Sequence, residues 1–378
     1  MKIQNYINGK FEDPINGEYI DNYNPSIGEI YGQIPNSNKE DVEKAYQAAA
    51  KAFPNWSNTT LEERSKILSK IADLILEKLD FLAAAESKDN GKPISLAKAV
   101  DIPRAASNFQ FFANAITQFS SESHESIGLN AVNFTLRQPL GVVGCISPWN
   151  LPLYLFTWKI APAIAVGNCV VAKPSEITPM TAFLLGEICN EAGLPKGVLN
   201  IVHGLGTSTG QAIVSHPNIK AISFTGGTKT GAHIAKIAAP MFKKLSLELG
   251  GKNPCIIDET ANIELAAKRI VWGKCINGGQ TCIAPDYLLI HKSVKEKFVI
   301  CFKEEIEKAY GKKPQKSDDY PRIVNEKNIE RLAKMLENET ILLGGKIDKK
   351  DNYISPTLVD EPSSRKYERI LPAPSSSK

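Results

Sequence analysis

Two hydrophobic patterns divide the chain. Residues 1 to about 36 are polar and turn-rich, with Asn-Gly at 8–9 and 16–17, and predict short strands and turns. Ser37 or Asn38 can cap a helix running to about Ala50. Thr60-Leu61-Glu62-Glu63 is a capping box, in which the Thr and Glu side chains each satisfy a free N–H at a helix start. The helix behind it carries Ile67, Ile71, Leu74 and Ile75 on one face. A third helix is predicted over about 91–119. The first 120 residues are therefore expected to be largely an amphipathic helical layer.

From about 140 the pattern changes. Val142–Ile146, Cys169–Ala172, Leu199–Val202 and Ile219–Phe224 are short continuous apolar runs, each followed by a helical segment. That alternation predicts a buried parallel sheet of βαβ units. In such sheets ligands bind beyond the C-terminal ends of the strands, so the residues after each run are the candidates. Ala131–Arg137 alternates loosely, as a strand with one exposed face does; it has no βαβ partner and is expected to pair outside the main domain. A second α/β region starts after about 250, and the small polar tail Pro372–Lys378 is expected to be disordered.

Composition narrows the class. With 378 residues, 43% of them hydrophobic, the chain can build about two domains with sizeable cores. A net charge of +4 calls for no nucleic-acid or membrane partner. Lys346, Lys349 and Lys350 read as solvated surface. The seven cysteines form no C-x-x-C pair, which argues for reduced thiols. The N-terminus shows no secretory h-region, and the longest apolar stretch, near 151–166, is broken by Pro152, Lys159 and Pro162. A soluble cytoplasmic α/β protein is the expectation, with no metal site.

Several strand ends carry candidate chemistry. Cys282 follows Asn277-Gly278-Gly279-Gln280-Thr281, where a Gly-Gly turn lets backbone approach a ligand and leaves an N–H for an oxyanion. A cysteine by itself is more commonly an inert core thiol. Glu248 ends an apolar strand before Gly250 and Gly251; desolvation there would raise its pKa and suit it to general-base work, while a strand-end Glu can also simply face water. Asn150, closing Ser147-Pro148-Trp149-Asn150, can donate to an oxyanion or cap a helix. Lys173 and Glu176 suit the hydroxyls of a ribose, or a surface ion pair. Gly226-Gly227-Thr228-Lys229-Thr230-Gly231 opens a helix whose N–H groups favour a phosphate, although its spacing is not G-x-G-x-x-G.

Taken in order, Ser147-Pro148-Trp149-Asn150, Lys173-Pro174-Ser175-Glu176, Phe224-Thr225-Gly226-Gly227-Thr228, Leu247-Glu248-Leu249-Gly250-Gly251-Lys252 and Gly279-Gln280-Thr281-Cys282 resemble the motif series of the aldehyde dehydrogenase superfamily. Asn24–Glu29 resembles the family's early turn, and the likeness covers about 4 to 362. Up to about 270 the chain is similar to the 2-aminomuconic semialdehyde, betaine aldehyde and retinal dehydrogenase branch. From Gly279 onward it is similar to the fatty and aromatic aldehyde branch, so a chimera, an unusual lineage or a reconstructed gene is the reading.

The resemblance implies a Rossmann-type parallel-sheet NAD-binding domain (1–120 and 140–250), an oligomerisation strand segment (121–139) and a second, incomplete α/β catalytic domain (251–378). It implies that Cys282 is the nucleophile, that Asn150 and the Cys282 N–H hold the oxyanion, and that Glu248 activates the water releasing the acid. Members that pass the acyl group to coenzyme A typically lack this Glu, so hydrolysis is implied. Lys173 and Glu176 match adenosine-ribose ligands, and a Glu there disfavours a 2′-phosphate, so NAD is implied over NADP. Gly206, Gly210, Phe224, Gly226, Gly227 and Thr230 match the adenine and pyrophosphate region. Ile146, Ser147, Pro148, Trp149, Thr225, Leu249 and Gly250 are further implied cofactor positions. Gly227 departs from the Ser of many members, which weakens a phosphate contact. Leu155 and Trp158 match the aldehyde tunnel.

A second departure concerns Tyr367-Glu368-Arg369-Ile370-Leu371-Pro372, where the family has Glu-Glu-Ile-Phe-Gly-Pro; Glu368 is a poor counterpart of the nicotinamide-ribose Glu. The resemblance then leads us to expect that later catalytic-domain strands are missing, with the C-terminal strand that pairs across subunits. That would weaken a family-type homodimer or homotetramer and leave the strand near 131–137 with an unpaired edge. The rival expectation is a catalytically silent dehydrogenase fold that binds nucleotide or serves as a structural or interaction protein.

Overall fold

The computed structural model describes residues 1–362. The disorder expected of Pro372–Lys378 and the reading of Glu368 fall outside the described residues. The chain divides into two units. The first comprises Met1–Asn24, Glu29–Asn90 and Ala97–Leu249; the second comprises Pro25–Gly28, Gly91–Leu96 and the chain from Gly250 on. Two short segments assigned by sequence to the first domain, 25–28 and 91–96, thus belong to the second unit.

In the first unit the polar N-terminal stretch forms β1 (Asn5–Ile7), β2 (Lys10–Glu12), β3 (Tyr19–Asn24) and β4 (Glu29–Pro35). Asn38 caps α1 (Lys39–Ser57) through a capping box with Asp41. This helix runs seven residues beyond Ala50 and carries Pro54 inside it. Tertiary packing overrides the breaker, because Trp56 is buried and its indole N–H donates to the Ile164 carbonyl at 3.1 Å. Thr60 and Glu63 form the predicted box at the start of α2 (Leu61–Glu77).

A helix not predicted, α3 (Leu79–Asn90), comes next. The helix predicted over about 91–119 follows it in broken form, as the single turn α4 (Ile94–Leu96), a π-helical turn at Ala97–Asp101 and α5 (Ile102–Ile116). The inner face of α3 mixes Leu82 and Ala83 with Glu86, Asp89 and Asn90, so it has no apolar stripe to read. Next comes a hairpin, β5 (Ser123–Ser126) with β6 (Ala131–Phe134), paired antiparallel. Ala131–Phe134 therefore has a partner inside its own unit, and both its faces are exposed.

The βαβ region forms as predicted: β7 (Val142–Ile146), α6 (Pro152–Ala165), β8 (Cys169–Lys173), α7 (Met180–Ala192), β9 (Leu199–Ile201), the short α8 (Gln211–Ser215), β10 (Ala221–Thr225), α9 (Thr228–Ala238) and β11 (Lys244–Glu248). The sheet order is β11-β10-β7-β8-β9-β1-β2, parallel from β11 to β9 and antiparallel at β1 and β2. Every residue of β7 and β8 is buried, as continuous apolar runs between two helical layers require. Register places Glu248 opposite Thr225, Phe224 opposite Ile146, and Ile146 opposite Lys173. The chemistry-bearing ends of four adjacent strands therefore share one edge of the sheet.

In the second unit β12 (Asn253–Ile257) pairs parallel with β13 (Pro285–Ile290). Around them lie α10 (Ile263–Cys275), α11 (Lys295–Tyr310), α12 (Glu326–Leu336), the pair β14 (Thr340–Leu343) and β17 (Leu358–Asp360), and the pair β15 (Ile347–Asp348) and β16 (Tyr353–Ile354). Ile257, Ala267, Ile270, Val271, Phe298 and Phe302 form a separate core. The other face of β12 and β13 presents Ile256, 75% exposed, and Leu289, 55% exposed. No helix among the described residues is long and apolar enough to cross a membrane.

Candidate active site

The first unit carries most of the sequence candidates on one sheet edge. Beyond β7, Ser147 donates its backbone N–H to the Lys173 carbonyl at 3.1 Å, which sets the β7 and β8 loops side by side. Asn150 is half-buried, and it is not a helix cap: α6 is preceded by Leu151, whose side chain cannot cap. Along α6, Leu155 is half-buried and Trp158 is 45% exposed, edge-to-face with Tyr154 at 5.8 Å.

Lys173 is buried at the end of β8, and its ammonium donates to Glu176 at 2.9 Å and to the Pro174 carbonyl at 3.0 Å. The pair is thus an inner ion pair rather than a surface one. Burial raises the Glu176 pKa, but the adjacent Lys173 charge and hydrogen bonds, including the Gly206 N–H, hold it below the ordinary value overall. Gly206 and Gly210 bound a π-helical turn. A side chain at Gly206 would meet nothing within 4 Å, whereas Gly210 lies against the Lys173 stem.

Phe224 is buried and its ring fills the space a side chain at Gly226 would need. Gly226 donates its N–H to the Glu248 carbonyl at 3.0 Å. Gly227 caps α9 in an extended conformation with open space around it, and Thr230 is exposed in the first turn. Thr225 is buried and Leu249 half-buried, with Leu249 packed where a side chain at Gly231 would go.

Glu248 departs from expectation. β11 is the edge strand of the sheet and alternates, with Leu245 and Leu247 half-buried and Glu248 exposed. The desolvation read from its apolar neighbours is absent, because those neighbours point to the opposite face. Sequence reasoning also missed Lys159. It lies buried on α6, donates to Ser223 at 3.4 Å, and has its pKa pushed down by burial, with Cys145 and Glu248 opposing that shift electrostatically. A lone lysine inside an apolar helix was its only signal.

In the second unit Cys282 is half-buried and is one of seven free thiols. The turn before it uses three consecutive left-handed residues, Asn277 (φ 51°), Gly278 (φ 64°) and Gly279 (φ 75°). Two side chains fix the loop. Asn253, at the start of β12, donates to the Cys282 carbonyl at 2.7 Å and to the Ala284 carbonyl at 2.9 Å. Gln280 donates to the Asn277 and Arg322 carbonyls and accepts from the Val324 N–H at 3.0 Å. A side chain at Gly251 would lie 2.6 Å from the Cys282 carbonyl, so that glycine is a steric requirement. Gly250 is exposed with open space around it. The sequence shows Gly251 and Asn253 only as neighbours of the Glu248 motif; their approach to the Cys282 carbonyl joins residues far apart in the chain, which no local pattern links.

The residues of the first unit fit a dinucleotide. Ser147 presents a buried hydroxyl that has no hydrogen-bond partner, Lys173 and Glu176 close the end of β8, and the α9 N-terminus is open at Gly227. Among the described residues no group of three His, Cys, Asp or Glu is placed to hold a metal.

The strand order β11-β10-β7-β8-β9, parallel throughout and with helices between the strands, makes the first unit a doubly wound α/β fold of the nucleotide-binding type. Residues 11–367 match the aldehyde dehydrogenase family, and the chain belongs to it. It is 47% identical over 308 residues to 2-aminomuconic semialdehyde dehydrogenase of Homo sapiens, over 82% of this chain and 63% of that one. It therefore spans less than two thirds of that relative's length. Among solved structures, the NAD+ complex of an aldehyde dehydrogenase from Bacillus cereus superimposes with a TM-score of 0.90 at 34% identity, over 96% of this chain and 76% of that one. An NADP-dependent enzyme of E. coli does so with a TM-score of 0.91 at 31% identity, over 96% of this chain and 77% of that one.

Proposed function

We propose that this protein oxidises an aldehyde to the carboxylic acid, with NAD as hydride acceptor. The Cys282 thiolate adds to the carbonyl carbon, and the oxyanion so formed is met by the Asn150 amide and the Cys282 N–H. When bound, the nicotinamide supplies the acceptor for the hydride, which leaves a thioester on Cys282. Glu248 then takes a proton from water as the water attacks the thioester, and the acid departs with the thiol restored.

The observation that carries this reading is the family match together with retention of Cys282, Glu248 and Asn150. Both NAD and NADP proteins share the fold, so cofactor preference turns on side chains. If Lys173 and Glu176 hold the adenosine ribose, the Glu176 carboxylate would repel a 2′-phosphate, which supports NAD. The exposed Ile127, Leu129, Val132 and Phe134 of the β5–β6 hairpin suit self-association, which native mass measurement checks.

The test mixes purified protein with NAD and aliphatic, aromatic and semialdehyde substrates and follows NADH absorbance. Turnover should vanish in Cys282→Ala. Glu248→Gln should give a single burst of NADH and then stall, since acylation survives without the base. No turnover in the parent, indistinguishable from Cys282→Ala, sinks the proposal.

A further inference from the structure

Helices α6 and α7 both begin without a capping side chain at the residue before them, which is Leu151 for α6 and Pro179 for α7. Their first free N–H groups are met instead from α3. Glu86 accepts from the Leu153 N–H at 3.1 Å, and Asp89 accepts from the Met180 N–H at 2.8 Å. Asn90 donates to the Trp149 carbonyl at 2.9 Å and more weakly to the Asn150 carbonyl at 3.4 Å. The Trp149 carbonyl also accepts from the Thr178 hydroxyl at 3.3 Å, joining the two segments.

Glu86, Asp89 and Asn90 all have zero exposure and lie within one turn of α3, on one face. Asp89 is itself held by Tyr31 and by Asn22 at 2.9 Å. Burying two carboxylates is costly, and it is offset only by partners that favour the charge, here helix N-termini and hydroxyl or amide donors. An ordinary helix would place apolar residues there. The backbone being held is that of Trp149 and Asn150 and that of Met180, where the loop that carries the Lys173–Glu176 pair enters α7.

We propose that the last turn of α3 is a positioning clamp, in which Asn90 sets the Asn150 segment and Asp89 sets the Lys173–Glu176 segment by fixing their backbones. The assignment rests on the aldehyde dehydrogenase reading above, and it gives the two side chains separable effects. Asn90→Ala should lower kcat about 30-fold while NADH affinity stays within about twofold, because the oxyanion donor shifts and the ribose segment does not. Asp89→Ala should weaken NADH binding about tenfold, with kcat at saturating NAD within about threefold. Asp89→Asn keeps one oxygen facing the Met180 N–H and should recover most of that affinity.

NADH binding is read by fluorescence, independently of turnover, beside thermal unfolding. Leu68→Ala, a fully buried residue of α2, serves as a control of comparable destabilisation. The split between kcat and affinity, with rescue by Asp89→Asn, supports the clamp. Equal losses of both quantities in Asn90→Ala, Asp89→Ala and the Leu68→Ala control overturn it, as do variants indistinguishable from the parent. A parent protein that binds no NADH overturns the dehydrogenase reading itself, and the clamp with it.

Discussion

The two units fix their reactive groups by different physical means. In the first, β7 and β8 are buried along their whole length, and the candidate residues stand where those strands emerge from a dry core. In the second, β12 and β13 are covered on one face only, and the Cys282 loop is tied by the Asn253 and Gln280 side chains to backbone carbonyls and N–H groups. Apolar packing is non-directional and sets the position of whole strands; hydrogen bonds are directional and set the orientation of a single loop. On the proposed function, a cofactor platform would use the first kind of order, and a nucleophile aimed at one atom would use the second.

That contrast can be broken at several points. Phe156→Ala, at 1% exposure, should cost about 3–5 kcal/mol in urea unfolding of the first unit. Ile256→Ala on the open face of β12 should cost under about 0.5 kcal/mol. Comparable losses from the two would mean that the β12–β13 face is covered in solution and the contrast false. Asn253→Ala removes two bonds to the nucleophile loop and should lower kcat about 100-fold. The same change should lower Tm by only about 2–4 °C. A large fall in Tm with kcat preserved would assign Asn253 to the fold instead.

The dryness of the strand ends has its own measure. Burial, with Lys173 nearby, pushes the His203 imidazole down to about 3. The unfolded chain binds that proton below about pH 6.5, and the folded chain does not. The stability this histidine contributes is therefore complete above about pH 6.5 and falls as pH drops, at up to about 1.4 kcal/mol per pH unit. His203→Gln should flatten the slope between about pH 6 and 4. An unchanged slope would show that His203 is hydrated. The smallest effect belongs to Gly227, whose extended backbone and open surroundings accept a serine. Gly227→Ser should add a few tenths of a kcal/mol as a helix cap and tighten NADH modestly. A looser complex would mean that the serine blocks the phosphate approach.

Much of the sheet was legible because its strands are buried on both faces and so read as unbroken apolar runs. Two helices were not. α1 runs through Pro54 because Trp56 is anchored by packing that local sequence cannot report. α3 was invisible to periodicity because its inward residues include Glu86, Asp89 and Asn90. At the site, motif order proposes Cys282, Asn150, Lys173 and Glu176, whereas the burial expected of Glu248 rests on apolar neighbours that point the other way. Lys159 and Asn253 act through contacts distant in sequence, with Ser223 and with the Cys282 and Ala284 carbonyls.

The left-handed run Asn277-Gly278-Gly279 restricts what descendants of this sequence can become. Each position excludes most side chains at roughly 1–2 kcal/mol apiece, so the approach to the thiol is nearly closed to substitution. On the proposed function, new aldehydes would be accommodated by walls that are free to vary, for which Leu155 and Trp158 on α6 are the candidates. A laboratory search for altered specificity would do best to randomise that helix and leave the thiol's own loop alone.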